Sequence, residues 1–324
     1  MKHCLTLLLT LTIFSASAQK KILDHTDFEI WNTIENETIS ASGDYVMYSL
    51  EKGEGDNYLK IKSGDGDLVF SHERSVPKGF TFDGDFAVFT IKAWQDSVRE
   101  MKRRKVKKDD LPKDTLGIYN LQNQQMVKIP FVQKSLMPEK WSGYVAYQLT
   151  EIPEAKKEED EEADKEPVEE EEQPSVKKPA KKKKVGKEHG YHLVVRNLMT
   201  AKQDTFKYVT KFVFAEEGKM LAFTSTGADS TFKAGVYALN LEDQKLTQLL
   251  EVDKGEFPQL SLSRTGKHLS FVADLDTTKV QIRPNELYSW SQGADQASKL
   301  LDSGNVPTGM LVSADRSISF SEDE

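Results

Sequence analysis

ISASGDYVMY at residues 39–48 and FTFDGDFAVF at residues 80–89 are two copies of one pattern, and this pattern decides the fold. In each copy an alternating apolar stretch runs into a glycine, and a second apolar stretch ends in Tyr or Phe. Alternation with a period of two buries one face of a β-strand, and glycine accepts the positive φ that a tight hairpin turn demands. Each copy therefore predicts a β-hairpin.

The same pattern recurs further along the chain. Three more copies are WSGYVAY at 141–147, FVFAEEGKMLAF at 212–223 and LSLSRTGKHLSF at 260–271. A second predicted strand pair follows every copy, at residues 58–70, 117–129, 191–206, 236–249 and 286–300. Two hairpins in tandem make a four-stranded antiparallel meander. Without two long insertions, the repeating unit measures about 40 to 50 residues, the size of a propeller blade.

The repeats predict the fold class. Five units are expected, at residues 39–70, 80–129, 137–206, 212–250 and 260–301. Residues 318–324 repeat the first half of the pattern and predict the opening of a sixth unit, so we expect the chain to be an amino-terminal fragment. The sequence thus predicts an all-β, WD-repeat-like β-propeller of about five four-stranded blades plus the start of a sixth. A β-sandwich is the alternative, but it gives no reason for one motif to recur in phase.

The first 18 residues read as a secretory signal peptide. Lys2 and His3 form a basic start, residues 5–14 are apolar, and the small residues SASA at 15–18 precede the expected cleavage site. The apolar run is about half the roughly 20 residues that span a bilayer. The mature protein is expected in the periplasm or outside the cell, without a membrane span. Cys4, the one cysteine, leaves with the signal, which excludes disulfides and thiolate metal ligands.

Residues 151–190 form a charged insert that divides the propeller sequence into residues 19–150 and 191–324. An acidic block at 158–172 is followed by a lysine-rich block at 177–184, and Pro167, Pro174 and Pro179 punctuate the stretch. Such a segment buries too little apolar surface to offset its ordering entropy, so the sequence predicts disorder. It also explains why 30% of all residues are charged and only 38% are hydrophobic.

A second insertion, the basic stretch at residues 99–108, predicts a solvated excursion between two strands. Contact with phosphates is the alternative, but acidic residues follow at once and the net charge is −8, so no nucleic-acid partner is expected. Trp94, just before this stretch, is expected to pack against a blade edge, or else to line a ligand rim.

No residue of the sequence is predicted to be catalytic, cofactor-binding or metal-binding. The Gly-x-Ser-x-Gly pentapeptide of a nucleophile elbow, Gly-x-Gly-x-x-Gly and the P-loop are all missing from the sequence. His189 and His192 beside Glu188 could suit zinc only on one helix with a third ligand, and they stand where a loop enters a strand. His25, His72 and His268 are expected to be ordinary surface or turn residues without a paired nucleophile. No cofactor is expected.

The chain resembles a known family. The residues that carry the resemblance are LDHTDFEIWN at 23–32, the basic loop, and LPKDTLGI at 111–118. Together they resemble the amino-terminal propeller region of secreted bacterial peptidases of the prolyl oligopeptidase family. In that family a propeller caps an α/β-hydrolase domain that carries a Ser, Asp and His triad. The resemblance implies a non-catalytic cap or gate of a serine peptidase, with peptides reaching the missing hydrolase domain. Whether the chain belongs to an enzyme stays open, because a stand-alone periplasmic propeller that binds a protein or glycan is the alternative.

Overall fold

The computed structural model describes residue 24 and residues 31–151, 185–276, 278 and 280–323. The predicted signal peptide and residues 152–184 of the predicted insert lie outside the described residues. Within these ranges the chain is built of antiparallel β-strands. The strands are β1 (Asn32–Ile39), β2 (Tyr45–Lys52), β3 (Tyr58–Ser63), β4 (Leu68–Glu73), β5 (Ser75–Phe80), β6 (Phe86–Ile91), β7 (Asp114–Asn120), β8 (Met126–Leu136), β9 (Tyr144–Leu149), β10 (Tyr191–Asn197), β11 (Gln203–Phe214), β12 (Met220–Thr226), β13 (Ala234–Asn240), β14 (Lys245–Val252), β15 (Glu256–Leu262), β16 (His268–Asp274), β17 (Glu286–Ser291) and β18 (Ser298–Leu301).

The strands form five four-stranded units in chain order. Units 1 and 5 are separate sheets, β1–β4 and β15–β18, whereas β5–β14 form one continuous ten-stranded sheet. The long strands β8 and β11 cause this continuity, because each closes one unit with its first half and opens the next with its second half. Val132 in β8 pairs with both β7 and β9, and Val209 in β11 pairs with both β10 and β12. The units therefore begin earlier than the sequence pattern predicts, and units 2, 3 and 4 share strands.

A main-chain hydrogen bond ties the first turn of every unit to its last turn. The donor is an N–H between the third and fourth strands, and the acceptor is a carbonyl between the first and second. The five bonds are Gly64 to Asp44 (2.7 Å), Leu121 to Asp85 (2.9 Å), Leu198 to Gly143 (2.8 Å), Leu241 to Lys219 (2.9 Å) and Gln292 to Lys267 (2.7 Å). One bond at corresponding positions in all five units shows that they are copies of one structural repeat.

The core lies between the units. One hydrophobic cluster joins units 1 and 2, a second joins units 2 and 3, a third joins units 3 and 4, and a fourth joins units 4 and 5. In β12, for example, Leu221 and Phe223 face unit 3 while Met220 and Ala222 face unit 5. Antiparallel four-stranded sheets that bury both faces against their neighbours are the blades of a propeller. The predicted all-β propeller fold is confirmed.

Four of the five turn glycines have the backbone conformation that the sequence predicts. Gly43, Gly84, Gly143 and Gly266 adopt φ values between +77° and +96°. Gly218 does not adopt a positive φ, and the expectation for it is wrong. This position instead requires glycine because an added Cβ atom would lie 1.8 Å from the carbonyl oxygen of Thr265 in the next unit.

The basic stretch at residues 99–108 is more regular than predicted. It contains most of helix α1 (Gln95–Arg103), and a 3₁₀ turn follows at Lys108–Asp110. None of the helical residues is buried, so the helix is stabilised by local interactions and by the hydrogen bond from the Gln95 N–H to the Asp56 carboxylate (3.0 Å). Glu100 pairs with Arg103 and Arg104, at the three- and four-residue spacings that stabilise helices. The stretch is a solvated excursion, as expected, but a helical one.

The last segment, 302–323, differs from the expected opening strand of a sixth unit. It contains no strand, and Glu324 lies outside the described residues. A strand needs a partner for its backbone groups, and among the described residues no later strand pairs with this segment. One contact nevertheless repeats: the Asn285 side chain donates to the carbonyl of Val312 (3.0 Å), as Asn57 in unit 1 donates to Ser75 (2.8 Å) at the start of unit 2.

Three buried tyrosines predict loss of stability at alkaline pH. Burial raises the pKa of Tyr147, Tyr237 and Tyr288 to about 12 each, from an ordinary value of 10.0. The unfolded chain releases these protons near pH 10 while the folded chain keeps them, so the free energy of unfolding falls as pH rises from about 10 to about 12. For Tyr147 the shift corresponds to about 3 kcal/mol.

Urea unfolding at pH 8 and pH 11, with tyrosinate absorbance recorded in parallel, measures this effect. Tyr147→Phe removes one of the groups, so its stability should depend less steeply on pH than that of the wild type. Equal pH slopes for both proteins would contradict the assignment.

Candidate functional site

The blades of a propeller surround a central channel, and we assign the first strands of successive units to its wall. We call them the inner strands: β1, β5, residues 132–136 of β8, residues 209–214 of β11, and β15. β1 contacts β5, and β11 contacts β15, so the inner strands of units 1 and 2 and those of units 4 and 5 lie side by side. We call the path along them the channel.

One end of the channel opens into a cleft of about 490 Å³, which we call the mouth cleft. Units 3, 4 and 5 each supply the end of the inner strand and the start of the first turn, and residues 318–322 complete the wall. The lining residues are Leu136, Met137, Glu139, Val213–Glu216, Ser261–Arg264 and Ile318–Glu322. Apolar side chains alternate here with serine hydroxyls and carboxylates, so the cleft offers an extended chain both packing and hydrogen bonds.

Charged side chains hold the turns around the mouth cleft together. Lys140 of unit 3 bridges to Glu216 (2.5 Å) and Glu217 (3.3 Å) of unit 4, and Arg264 of unit 5 lies 3.6 Å from Glu217. The hydrogen bond to Glu216 raises the pKa of Lys140. The indole Nε1 of buried Trp141 donates to the carbonyl of Ala215 (3.0 Å). These contacts join three consecutive units and fix the shape of the cleft.

Further along the channel, three inner strands each present a lysine. Lys78, Lys134 and Lys211 come from units 2, 3 and 4, and we call them the channel lysines. All three are exposed, although buried residues such as Ser135 and Phe212 lie next to them in sequence. The sequence analysis missed this group, because its members are far apart in the chain. The recurrence of a lysine shortly before the turn of three successive units was the available signal.

The opposite face of the molecule carries the connections between second and third strands. A cleft of about 700 Å³ lies there between units 4 and 5, with Asp253, Glu256 and Asp276 among its lining residues. Arg283 pairs with Asp274 (2.5 Å) at its wall, which neutralises one of the carboxylates. Among the residues that the structure describes, no group of three or more His, Cys, Asp or Glu is arranged to hold a metal ion.

Trp94 lies on the same face as this acidic cleft, at the root of the excursion that contains α1. Its side chain is 47% exposed, and the guanidinium of Arg74 stacks on the ring at 4.0 Å. Arg74 is the single residue between β4 and β5, so Trp94 packs at the junction of units 1 and 2, as the sequence predicts. A ligand-binding role for this rim stays a prediction.

Two histidines do have hydroxyl partners, contrary to the sequence analysis. Nδ1 of His72 lies 2.8 Å from Oγ of Ser75, and Nδ1 of His268 lies 2.9 Å from Oγ of Ser291 across β16 and β17. Ser75 is fully buried, out of reach of a substrate. A Ser–His–carboxylate triad needs an acid on the second ring nitrogen, and within the described ranges neither histidine has one.

His189 and His192 do not point to a common ligand. His192 is buried in β10 against the ring of Tyr208, with 5.4 Å between the ring centres. Burial and the charge of Lys207 lower the pKa of His192. The main chain of His189 instead accepts a hydrogen bond from Thr226 (2.6 Å). His25 lies outside the described residues.

Three solved structures were compared with the chain. The β-propeller domain of the Trilobed protease from Pyrococcus furiosus has 12% sequence identity and a TM-score of 0.43, over 86% of this chain and 73% of that one. Acylaminoacyl peptidase from Pyrococcus horikoshii has 12% identity and a TM-score of 0.39, over 87% of this chain and 41% of that one. A structure from work on two prolyl endopeptidases has 12% identity and a TM-score of 0.43, over 88% of this chain and 44% of that one.

The chain thus spans less than half the length of these last two peptidases. No family model matches the sequence. No curated protein matches it either. The propeller assignment rests on the strands, hydrogen bonds and cores described above. In the described ranges, no helix combines the length and apolarity needed to cross a membrane.

Proposed function

We propose that this chain is the non-catalytic propeller of an exported serine peptidase similar to the prolyl oligopeptidase family, and that its channel selects peptides for a hydrolase domain. The observation that carries the proposal is the mouth cleft, which three successive units line with corresponding residues of their inner strands and first turns. The sequence resemblance at residues 23–32 and 111–118 supports the peptidase context.

The lining of the channel favours a peptide as its occupant. The mouth cleft, at about 490 Å³, falls in the range of about 300–1,000 Å³ that is usual for small-ligand sites. A peptide backbone carries a donor and an acceptor on nearly every residue, and the serine hydroxyls and carboxylates of the cleft complement both. An unfolded segment can offer its backbone groups to this lining, whereas a folded protein keeps most of them paired internally. The propeller would therefore select unfolded peptides, and the hydrolase domain would cleave them.

Peptide binding by the mature chain tests this function. We expect a short unfolded peptide to bind and the same segment within a folded protein not to bind, as measured by fluorescence anisotropy. Equal binding of both forms, or of neither, would contradict the proposed selection.

The catalytic part of the proposal has a separate test. The chain alone should not react with fluorophosphonate probes, because it lacks a nucleophile elbow. The reading frame beyond Glu324 is expected to continue into an α/β domain with Gly-x-Ser-x-Gly. Continuation through further blades to a stop codon without that motif would favour the stand-alone propeller that binds a protein or glycan. Labelling of a serine within these 324 residues would contradict the non-catalytic role.

A further inference from the structure

The channel lysines form an unneutralised group of positive charges. Asp114 is the carboxylate that acts most strongly on Lys78, but it is paired with Lys92 at 2.6 Å. The ammonium of Lys211 donates to the carbonyl of Pro258 on the next inner strand, and that of Lys134 lies 5.2 Å from the ring centre of Phe212. Within the described residues, none of the three forms an ion pair.

The three charges act on one another. Partial desolvation by its surroundings lowers the pKa of Lys78, and the neighbouring charges of Lys92 and Lys134 lower it further. Burial and the charge of Lys134 likewise lower the pKa of Lys211. Lys134, on the inner strand between the other two, therefore lies within electrostatic reach of both. An anion placed among them would relieve this repulsion and gain charge-assisted hydrogen bonds.

We propose that the channel lysines bind a carboxylate of the peptide that occupies the channel. This inference rests on the proposed function and adds a charge preference to it. The group consists of three ammonium groups from three successive units, which suits a single carboxylate. A long polyanion would also face the net charge of −8 on the whole chain. The carboxylate has two possible sources, the free C-terminus of the peptide or an acidic side chain.

Four peptides of Gly, Ala and Ser, each with an uncharged fluorescent dye at its N-terminus, separate these sources. The first has a free C-terminal carboxylate and the second a C-terminal amide; the other two are amidated and carry one Glu or one Gln. We expect at least one carboxylate form to bind the wild type about tenfold more tightly than its neutral counterpart. The difference should shrink as salt rises. The form with the larger difference identifies the source.

Substitutions assign the preference to the channel lysines. The triple variant Lys78→Gln/Lys134→Gln/Lys211→Gln should lose the tenfold difference in affinity between carboxylate and neutral peptides. Lys134→Arg keeps the charge, so its difference in affinity should lie within about threefold of the wild-type value. Lys202→Gln, at an exposed turn outside the channel, is the matched control and should bind like the wild type. Removing like charges should leave the melting temperature unchanged or higher, which shows that the triple variant is folded.

The failures of the two proposals are distinguishable. If all four peptides bind the wild type equally, the charge preference is overturned while peptide binding stands. The same holds if the folded triple variant keeps the preference. If no peptide binds, both proposals are overturned.

Discussion

Gly218→Ala is expected to destabilise the protein by about 2–4 kcal/mol, which for a fold of this size lowers the melting temperature by roughly 10 °C. The new Cβ atom would lie 1.8 Å from the carbonyl oxygen of Thr265 and 2.6 Å from its carbon. Both are main-chain atoms, so the first turns of units 4 and 5 must move apart. That movement breaks the hydrogen bond from the N–H of Glu217 to the carbonyl of Arg264 (2.9 Å).

Gly64→Ala is the matched control for this prediction. Gly64 also lies in a turn and lacks a positive φ, but an added Cβ there meets its nearest atoms at 3.6 and 3.7 Å, ordinary contact distances. Its melting temperature should stay within a few degrees of the wild type. Equal losses for the two variants would contradict close packing between the turns of units 4 and 5.

Trp141→Ala is expected to cost about 3–5 kcal/mol of unfolding free energy. Trp141 is 7% exposed, and its ring packs edge-on against Phe214 with 5.5 Å between ring centres. The substitution removes this ring from the core between units 3 and 4. It also removes the indole N–H that satisfies the carbonyl of Ala215. Chemical denaturation followed by circular dichroism measures the loss.

Trp94→Ala provides the comparison, because Trp94 is half exposed and lies outside the cores between units. Trp94→Ala should lower the free energy of unfolding by only about 1 kcal/mol, the scale of an exposed cation–π contact. The loss of unfolding free energy for Trp141→Phe should lie between those for Trp94→Ala and Trp141→Ala. This variant keeps most of the packing but leaves the Ala215 carbonyl unpaired. A cost below 1 kcal/mol for Trp141→Ala would show that units 3 and 4 do not pack as described.

The repeat was the part of the fold that the sequence could predict, because hairpin turns and strand alternation are local. The glycines at residues 43, 84, 143 and 266 show this, since their conformation follows from the turn alone. Gly218 was predicted for the wrong reason, because its constraint comes from a neighbouring unit. The shared strands β8 and β11 were also missed, since apolar alternation does not mark where a strand changes its partner.

The candidate site was less accessible to sequence reasoning. Lys78, Lys134 and Lys211 belong to three separate units and come near one another only in the folded protein. No local sequence motif therefore predicts the group. The pairs of His72 with Ser75 and of His268 with Ser291 were missed for related reasons, one at a unit junction and one across two strands. The helix α1 did have a local signal, in the i, i+3 and i, i+4 spacing of opposite charges around Glu100.

Photo-crosslinking of a bound peptide tests most directly whether the channel is the binding site. A short peptide with a free carboxylate and one benzoylphenylalanine is irradiated with the mature chain, and the attachment sites are mapped by mass spectrometry. The account predicts attachment to the inner strands, at residues 132–136, 209–214 and 256–262, with loss of labelling when unlabelled peptide is added. Attachment confined to the outer strands β4, β14 and β18 or to α1 would contradict it.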